Sequence, residues 1–339
     1  MKNNKRHQVL KKSLGLAAGI GVQASASAAT NAQKEIKVGV IGLSVHSAAY
    51  TEIINSGAAS PEFSGCRVVA IFHPKGNPDV EFSEKSLQSF TDTITGQGVE
   101  FVMSIRKLLK KVDAVMLLTN DGRPHLKEIM PVLKAGKPVY VDKPLAASLS
   151  DVLAIFNEVK KYNVPMFSCS PLRYVKEALD IREGKVVGKV LGANTYGPAP
   201  IQKSHADLFW DGIHAVESLY TVMGGTGCKS VSRTSTEDAD VVVGTWENDR
   251  IGVFRGVRKG RSGFGGTAFG DKGIASIGVF NGYRPLVVAI VEFFRSGRPP
   301  VSDEETIEIY AFMEAADESK RLGGVPVSLS DVLSKAKMK

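Results

Sequence analysis

Between Ile36 and Cys169 short apolar runs alternate with amphipathic segments, and this alternation leaves few folds open to the chain. Ile36–Ile41 (IKVGVI), Cys66–Phe72 (CRVVAIF), Asp113–Leu118 (DAVMLL), Pro138–Val141 and Pro165–Cys169 are apolar and of strand length. Their β-branched content suits strands buried on both faces. Helices are predicted between them over 46–56, 104–111, 124–135 and 149–162, the third stopping at Gly136. The stretch around Pro74, Gly76 and Pro78 reads as irregular. Repeated strand–helix–strand units need right-handed crossovers, which build a doubly wound parallel sheet of Rossmann type.

Beyond residue 170 the pattern changes. A helix is predicted over 207–223, strands between Cys228 and Phe254, glycine-rich hairpins over 259–278, and helices over 284–296 and 303–321. That is an α+β domain with a mostly antiparallel sheet. A length of 339 residues suits two such domains, placed at 34–170 and 171–330, with a lysine-rich solvated tail at 331–339. No apolar run reaches the roughly 20 residues that span a bilayer, so no stable membrane anchor is expected.

The first thirty residues stand apart. Lys2, Lys5, Arg6, Lys11 and Lys12 form a basic stretch, Leu14 to Val22 is apolar, and Ala24 to Ala29 supplies the small side chains a signal peptidase needs. This three-part pattern predicts an export signal and a periplasmic or secreted protein. The Arg6-His7 pair resembles a twin-arginine signal with its second arginine replaced, so the route is either twin-arginine or general secretion. These five basic residues account for most of the net charge of +8. The remainder is too weakly basic, and too free of basic–aromatic stripes, to suit nucleic acid. Cys66, Cys169 and Cys228 are scattered, which predicts neither a disulfide framework nor a zinc site.

The turn after the first strand is where a dinucleotide's phosphates would meet a helix N-terminus. The chemistry asks for G-x-G-x-x-G, and the chain reads Gly42-Leu43-Ser44-Val45-His46-Ser47. Gly42 keeps the tight turn, while Ser44 can still offer a backbone N–H. His46 is either an anion contact or a helix-start residue. The carboxylate expected after the second strand to hold ribose hydroxyls is His73, followed by Pro74 and Lys75. This tip either favours a 2′-phosphate, as in NADP, or means that no adenosine ribose is bound.

The segment from Ala135 to Ala146, AGKPVYVDKPLA, resembles the AGKHVxxEKPLA segment of the glucose–fructose oxidoreductase and inositol dehydrogenase (Gfo/Idh/MocA) family. Gly122-Arg123-Pro124-His125, Leu172-Arg173-Tyr174, Gly184 to Val190 and Gly212-Ile213-His214 fit other stretches of that family, so the resemblance spans most of 35–323. It implies an NAD(P)-dependent oxidoreductase acting on a sugar, polyol or sugar derivative, and a homo-oligomer. It also implies that Lys143 lies near the nicotinamide and the reacting hydroxyl, and that His214 handles the proton. Asn120, Pro124, His125 and Asp142 join Gly42, Ser44, His46, His73 and Lys143 as candidate cofactor contacts. Arg173, Trp210 and Asp207 are candidate substrate contacts, Arg173 being equally suited to a structural salt bridge and Trp210 to the core. His205 near Asp207 lacks a third ligand at metal-binding spacing, so no metal is expected.

Four positions depart from the family pattern, all around one cavity: the glycine fingerprint, His73, Asp142 in place of glutamate, and Trp210 where the family has aspartate four residues before the histidine. Asp211 stands in as the expected orienting partner of His214. Two function classes therefore remain: an exported oxidoreductase with tightly held NAD or NADP, and a cofactor-degenerate relative that binds carbohydrate or does non-redox acid–base chemistry.

Overall fold

The computed structural model describes residues 35–261 and 263–338; the expected export signal at 1–30 lies outside them. The described residues form one compact unit. Its first half is β1 (Ile36–Ile41), α1 (Val45–Ser56), β2 (Cys66–Phe72), α2 (Glu84–Gly96), β3 (Glu100–Phe101), α3 (Ile105–Leu109), β4 (Ala114–Leu117), α4 (His125–Lys134), β5 (Val139–Val141), α5 (Leu149–Tyr162) and β6 (Met166–Phe167). The strands run parallel in the order β3-β2-β1-β4-β5-β6. This is the doubly wound sheet anticipated above, and its order reverses between β1 and β4. Ligands of such sheets bind in the crevice beyond the strands' carboxyl ends at that reversal.

The second half contains α6 (Lys176–Arg182), β7 (Val190–Pro198), α7 (Ile213–Met223), β8 (Cys228–Ser235), β9 (Ala239–Trp246), β10 (Ile251–Val257), β11 (Gly265–Gly270), β12 (Gly273–Ser276), α8 (Arg284–Ser296), α9 (Asp303–Arg321), β13 (Val327–Ser328) and α10 (Leu329–Lys337). Its sheet has the order β12-β11-β7-β10-β9-β8-β13 and is antiparallel except where β7 meets β10. Helices α7 and α9 pack on one face, burying Leu219, Tyr220 and Phe312 around Trp246.

Three elements differ from expectation. The turn-rich stretch after β2 leads into an unanticipated helix, α2, capped by Ser83. The helix expected over 207–223 begins only at Ile213, because Gly212 and the turn before it precede the hydrogen-bonded ladder. The expected tail is mostly α10, whose Leu329 and Val332 are buried while its lysines stay exposed. Helix α8 also crosses the anticipated domain division. Its Leu286, Val287, Ile290, Val291 and Phe293 repeat at helical spacing and pack with Val38 and Val40 of β1, Tyr140 of β5 and α1. Among the described residues no helix is long and apolar enough to cross a membrane.

Candidate active site

The carboxyl end of β1 turns at Gly42, whose φ of +100° suits glycine. A Cβ there would lie 2.3 Å from the Thr119 backbone nitrogen, so the turn also depends on close packing against the end of β4. Helix α1 then starts with a reciprocal cap. Ser44 Oγ accepts from Ser47 N–H at 3.2 Å, and Ser47 Oγ accepts from Ser44 N–H at 3.1 Å. Two N–H groups at this helix start are therefore engaged by neighbouring hydroxyls. His46 turns away from the phosphate track: its Nδ1 lies 2.5 Å from Asp142 Oδ2, and its ring stacks on Tyr50. It is thus a helix-start residue tied to β5 rather than a free anion contact.

His73 follows β2 and lines a crevice with Gly42, Leu43, Glu81, Thr119 and Asn120. Its Nδ1 is buried without a hydrogen-bond partner. Burial lowers its proton affinity below the ordinary imidazole value, against the opposing charge of Glu81. Residues 74–83 fold over this crevice as a strap. Asn77 donates to Asp121 at 2.5 Å, Arg123 pairs with Asp79 at 2.7 Å and with Asp121, and Asn120 reaches the Val80 carbonyl. From the second half, His205 lies 3.1 Å from Asp121, and Gln202 donates to the Asp79 carbonyl. Burial raises the Asp121 carboxyl, but His205 beside it and the hydrogen bonds from Arg123 and Asn77 outweigh that and hold it far below the usual range. The closed crevice keeps a cavity of only about 20 Å³, room for one water.

At the end of β5, Asp142 is buried and Lys143 is nearly so. Burial pushes the Asp142 carboxyl up, but His46, by charge and hydrogen bond, and Lys143 more than reverse this. Lys143 is joined to Pro144 by a cis peptide bond. Its Nζ lies 3.6 Å from Oδ1 of Asp211, in the turn just before α7. His214 follows in the first turn of α7, and its Nδ1 lies 2.7 Å from Ser170 Oγ. Burial first, then the charges of Lys143 and His46, hold the His214 imidazole well below its ordinary value, so it is neutral at pH 7. The structure thus brings Lys143, Asp211 and His214 together, with one change of partner. Asp211 faces Lys143, and Ser170 holds the histidine.

Three other candidates are corrected. Arg173 is buried and spanned by Glu217 at 2.7 Å and Glu305 at 2.6 Å, so its guanidinium is committed to structure. Asp207 accepts from Arg233 at 3.0 Å and Lys320 at 2.7 Å in a partly buried ion cluster with Asp240 and Asp317. Its charge is consumed there. His125 is fully buried, with Nδ1 3.1 Å from the Leu145 carbonyl and Nε2 2.9 Å from that of Thr119. It ties the Lys143 loop to β4 and presents no free nitrogen. Pro124 caps α4, and Asn120 is engaged by the strap. Trp210 is half-buried, 4.8 Å from the His205 ring. Sequence reasoning missed Ser170, Asp121 and the strap residues Asn77 and Asp79. Their partners are distant in the chain, and no local spacing marks them.

A parallel sheet reversing beside a glycine turn, with a lysine at its carboxyl edge, is the architecture of a Rossmann-type domain. Comparison with known proteins agrees: residues 36–169 match the sequence model of the Gfo/Idh/MocA family, described as "Oxidoreductase family, NAD-binding Rossmann fold". No curated protein matches the sequence. Among solved structures, a probable dehydrogenase from Thermotoga maritima is 21% identical with a TM-score of 0.70, over 88% of this chain and 100% of that one. The scyllo-inositol dehydrogenase of Lactobacillus casei, solved with NAD(H) and scyllo-inositol, is 15% identical with a TM-score of 0.70, over 88% and 100%. GenD2 of gentamicin A biosynthesis, solved with NAD, is 16% identical with a TM-score of 0.71, over 88% and 97%. These likenesses show the fold. The Gly42 turn and the unpartnered His73 nitrogen line the crevice a dinucleotide would enter, and the strap closes that crevice in this structure.

Proposed function

We propose that the chain is an exported member of the Gfo/Idh/MocA family that uses NAD or NADP, tightly held, to oxidise or reduce a sugar, polyol or sugar derivative. One observation carries this reading: Lys143, on the edge of the parallel sheet, faces the turn that delivers Asp211 and His214 from the second half. When bound, the nicotinamide supplies the hydride acceptor or donor. The protein's part is the oxygen. Lys143 and His214 serve as hydrogen-bonding groups for the reacting hydroxyl or carbonyl, and Asp211 fixes the lysine. Half-buried Trp210 offers an aromatic face to a sugar ring.

The second reading, a relative without dinucleotide chemistry, is favoured by the self-capped start of α1 and the strapped crevice. Mass spectrometry of protein denatured directly after purification from the host envelope separates the two. Released nicotinamide dinucleotide, and an N-terminus near residues 29–31, are the expected results. Absence of dinucleotide together with no calorimetric binding of NAD or NADP would overturn the first reading. An intact Met1 terminus would overturn export. Lys143→Ala and His214→Ala should each remove most turnover, and the double variant should be little worse, because groups acting on one oxygen are non-additive.

A further inference from the structure

We propose that Ser170 is the positioning residue of the His214 imidazole and that it fixes the ring in the tautomer carrying its hydrogen on Nε2, so that the ring meets a substrate oxygen as a donor. Ser170 lies just beyond β6, fully buried, 44 residues from His214 in sequence. Its hydroxyl has one hydrogen to give and two lone pairs with which to accept. The Leu172 N–H points at Oγ from 3.2 Å and occupies one lone pair. Nδ1 of His214, at 2.7 Å, is the acceptor that remains for the hydroxyl hydrogen. A neutral imidazole that accepts at Nδ1 carries its hydrogen on Nε2.

The serine is itself held by a buried chain. Its N–H donates to Glu217 Oε2 at 2.7 Å, Glu217 Oε1 accepts from Arg173 Nε at 2.7 Å, and Arg173 Nη2 donates to Glu305 at 2.6 Å. Glu217, Arg173 and Glu305 are all buried, so the end of β6, α7 and α9 converge on the backbone that carries the Ser170 hydroxyl. This is the support a site needs to hold a first contact in place. It also explains how the chain manages with Trp210 and without a carboxylate on the histidine: a neutral hydroxyl replaces it.

Any role in turnover rests on the reading above, whereas the tautomer can be measured in protein without cofactor. Nitrogen-15 NMR of the imidazole rings is the test, with His214 assigned by loss of its signals in His214→Gln. The expected spectrum shows a bare Nδ1 and a protonated Nε2 at neutral pH. Ser170→Ala should admit the other tautomer, and Ser170→Thr, which keeps the hydroxyl, should restore the first. A protonated Nδ1 in the native protein would overturn the proposal. So would a Ser170→Ala variant, folded by circular dichroism, whose His214 signals match the native ones. If Ser170→Ala does not fold, the native and Ser170→Thr spectra still decide. With a substrate in hand, Ser170→Ala should lower kcat roughly tenfold or more at near-constant KM. If the tautomer is as expected but no dinucleotide binds, the functional reading fails and this assignment stands.

Discussion

Lys143 acts on both of its neighbours through charge. It helps keep Asp142 ionised, and it helps keep His214 neutral. Replacing it by methionine removes a positive charge beside the imidazole, so the His214 pKa should rise. An NMR titration of His214 in Lys143→Met should find the midpoint above that of the native protein; an unchanged midpoint would mean that burial and His46 set it without the lysine. The sign for stability follows from proton counting. Folded His214 binds fewer protons than the unfolded chain, so its contribution is present above the ordinary imidazole value, about 6.5, and is lost as pH falls below it. At this scale the sequence showed Lys143 and His214, because both sit in contiguous motifs. It did not show the partners. Asp142 finds His46 across 96 residues, and Ser170 finds His214 across 44, through sheet packing that no local spacing encodes.

Among the elements, the strands and most helices were legible because burial writes its period into the residues. The predicted helices at 284–296 and 303–321 coincide with α8 and α9. Failures fall where local chemistry competes with period. Ser83 starts α2 behind a run of turn residues, and Gly212 delays α7. The strap over 74–83 has no period at all, and its position comes from side-chain contacts to Asp121 and Arg123. Arg123 pairs directly with strap residue Asp79 and also with Asp121, the acceptor of Asn77, so Arg123→Ala should loosen the strap. Hydrogen exchange should become several-fold faster over residues 76–82 and stay unchanged in β1 and β4. Binding of NAD or NADP, if the strap gates the crevice, should become faster in stopped-flow measurement. Equal exchange in both proteins would show that the remaining contacts suffice.

For the molecule as a whole, the second sheet has one face covered by helices and one face open. On the open face Tyr196 and Ile251 are exposed, with half-buried Val243 and Val253 paired across β9 and β10. We propose that a second copy of the chain covers this face, in line with the homo-oligomer that the family resemblance implies. Light scattering should give a multiple of the mass of one mature chain, and Ile251→Lys should reduce it toward a single chain. A native protein at single-chain mass would refute this. Helix α8 carries a different consequence, one of timing. The wall that α8 lays against β1 and α1 comes from residues 284–296, more than a hundred residues after the last strand of the sheet it covers. Chains are synthesised from the N-terminus, so the nascent first sheet waits with Val38, Val40 and Tyr140 uncovered on that side. A fragment ending near residue 170 would keep that apolar face permanently. The Rossmann-type half is first in sequence and among the last parts to be completed.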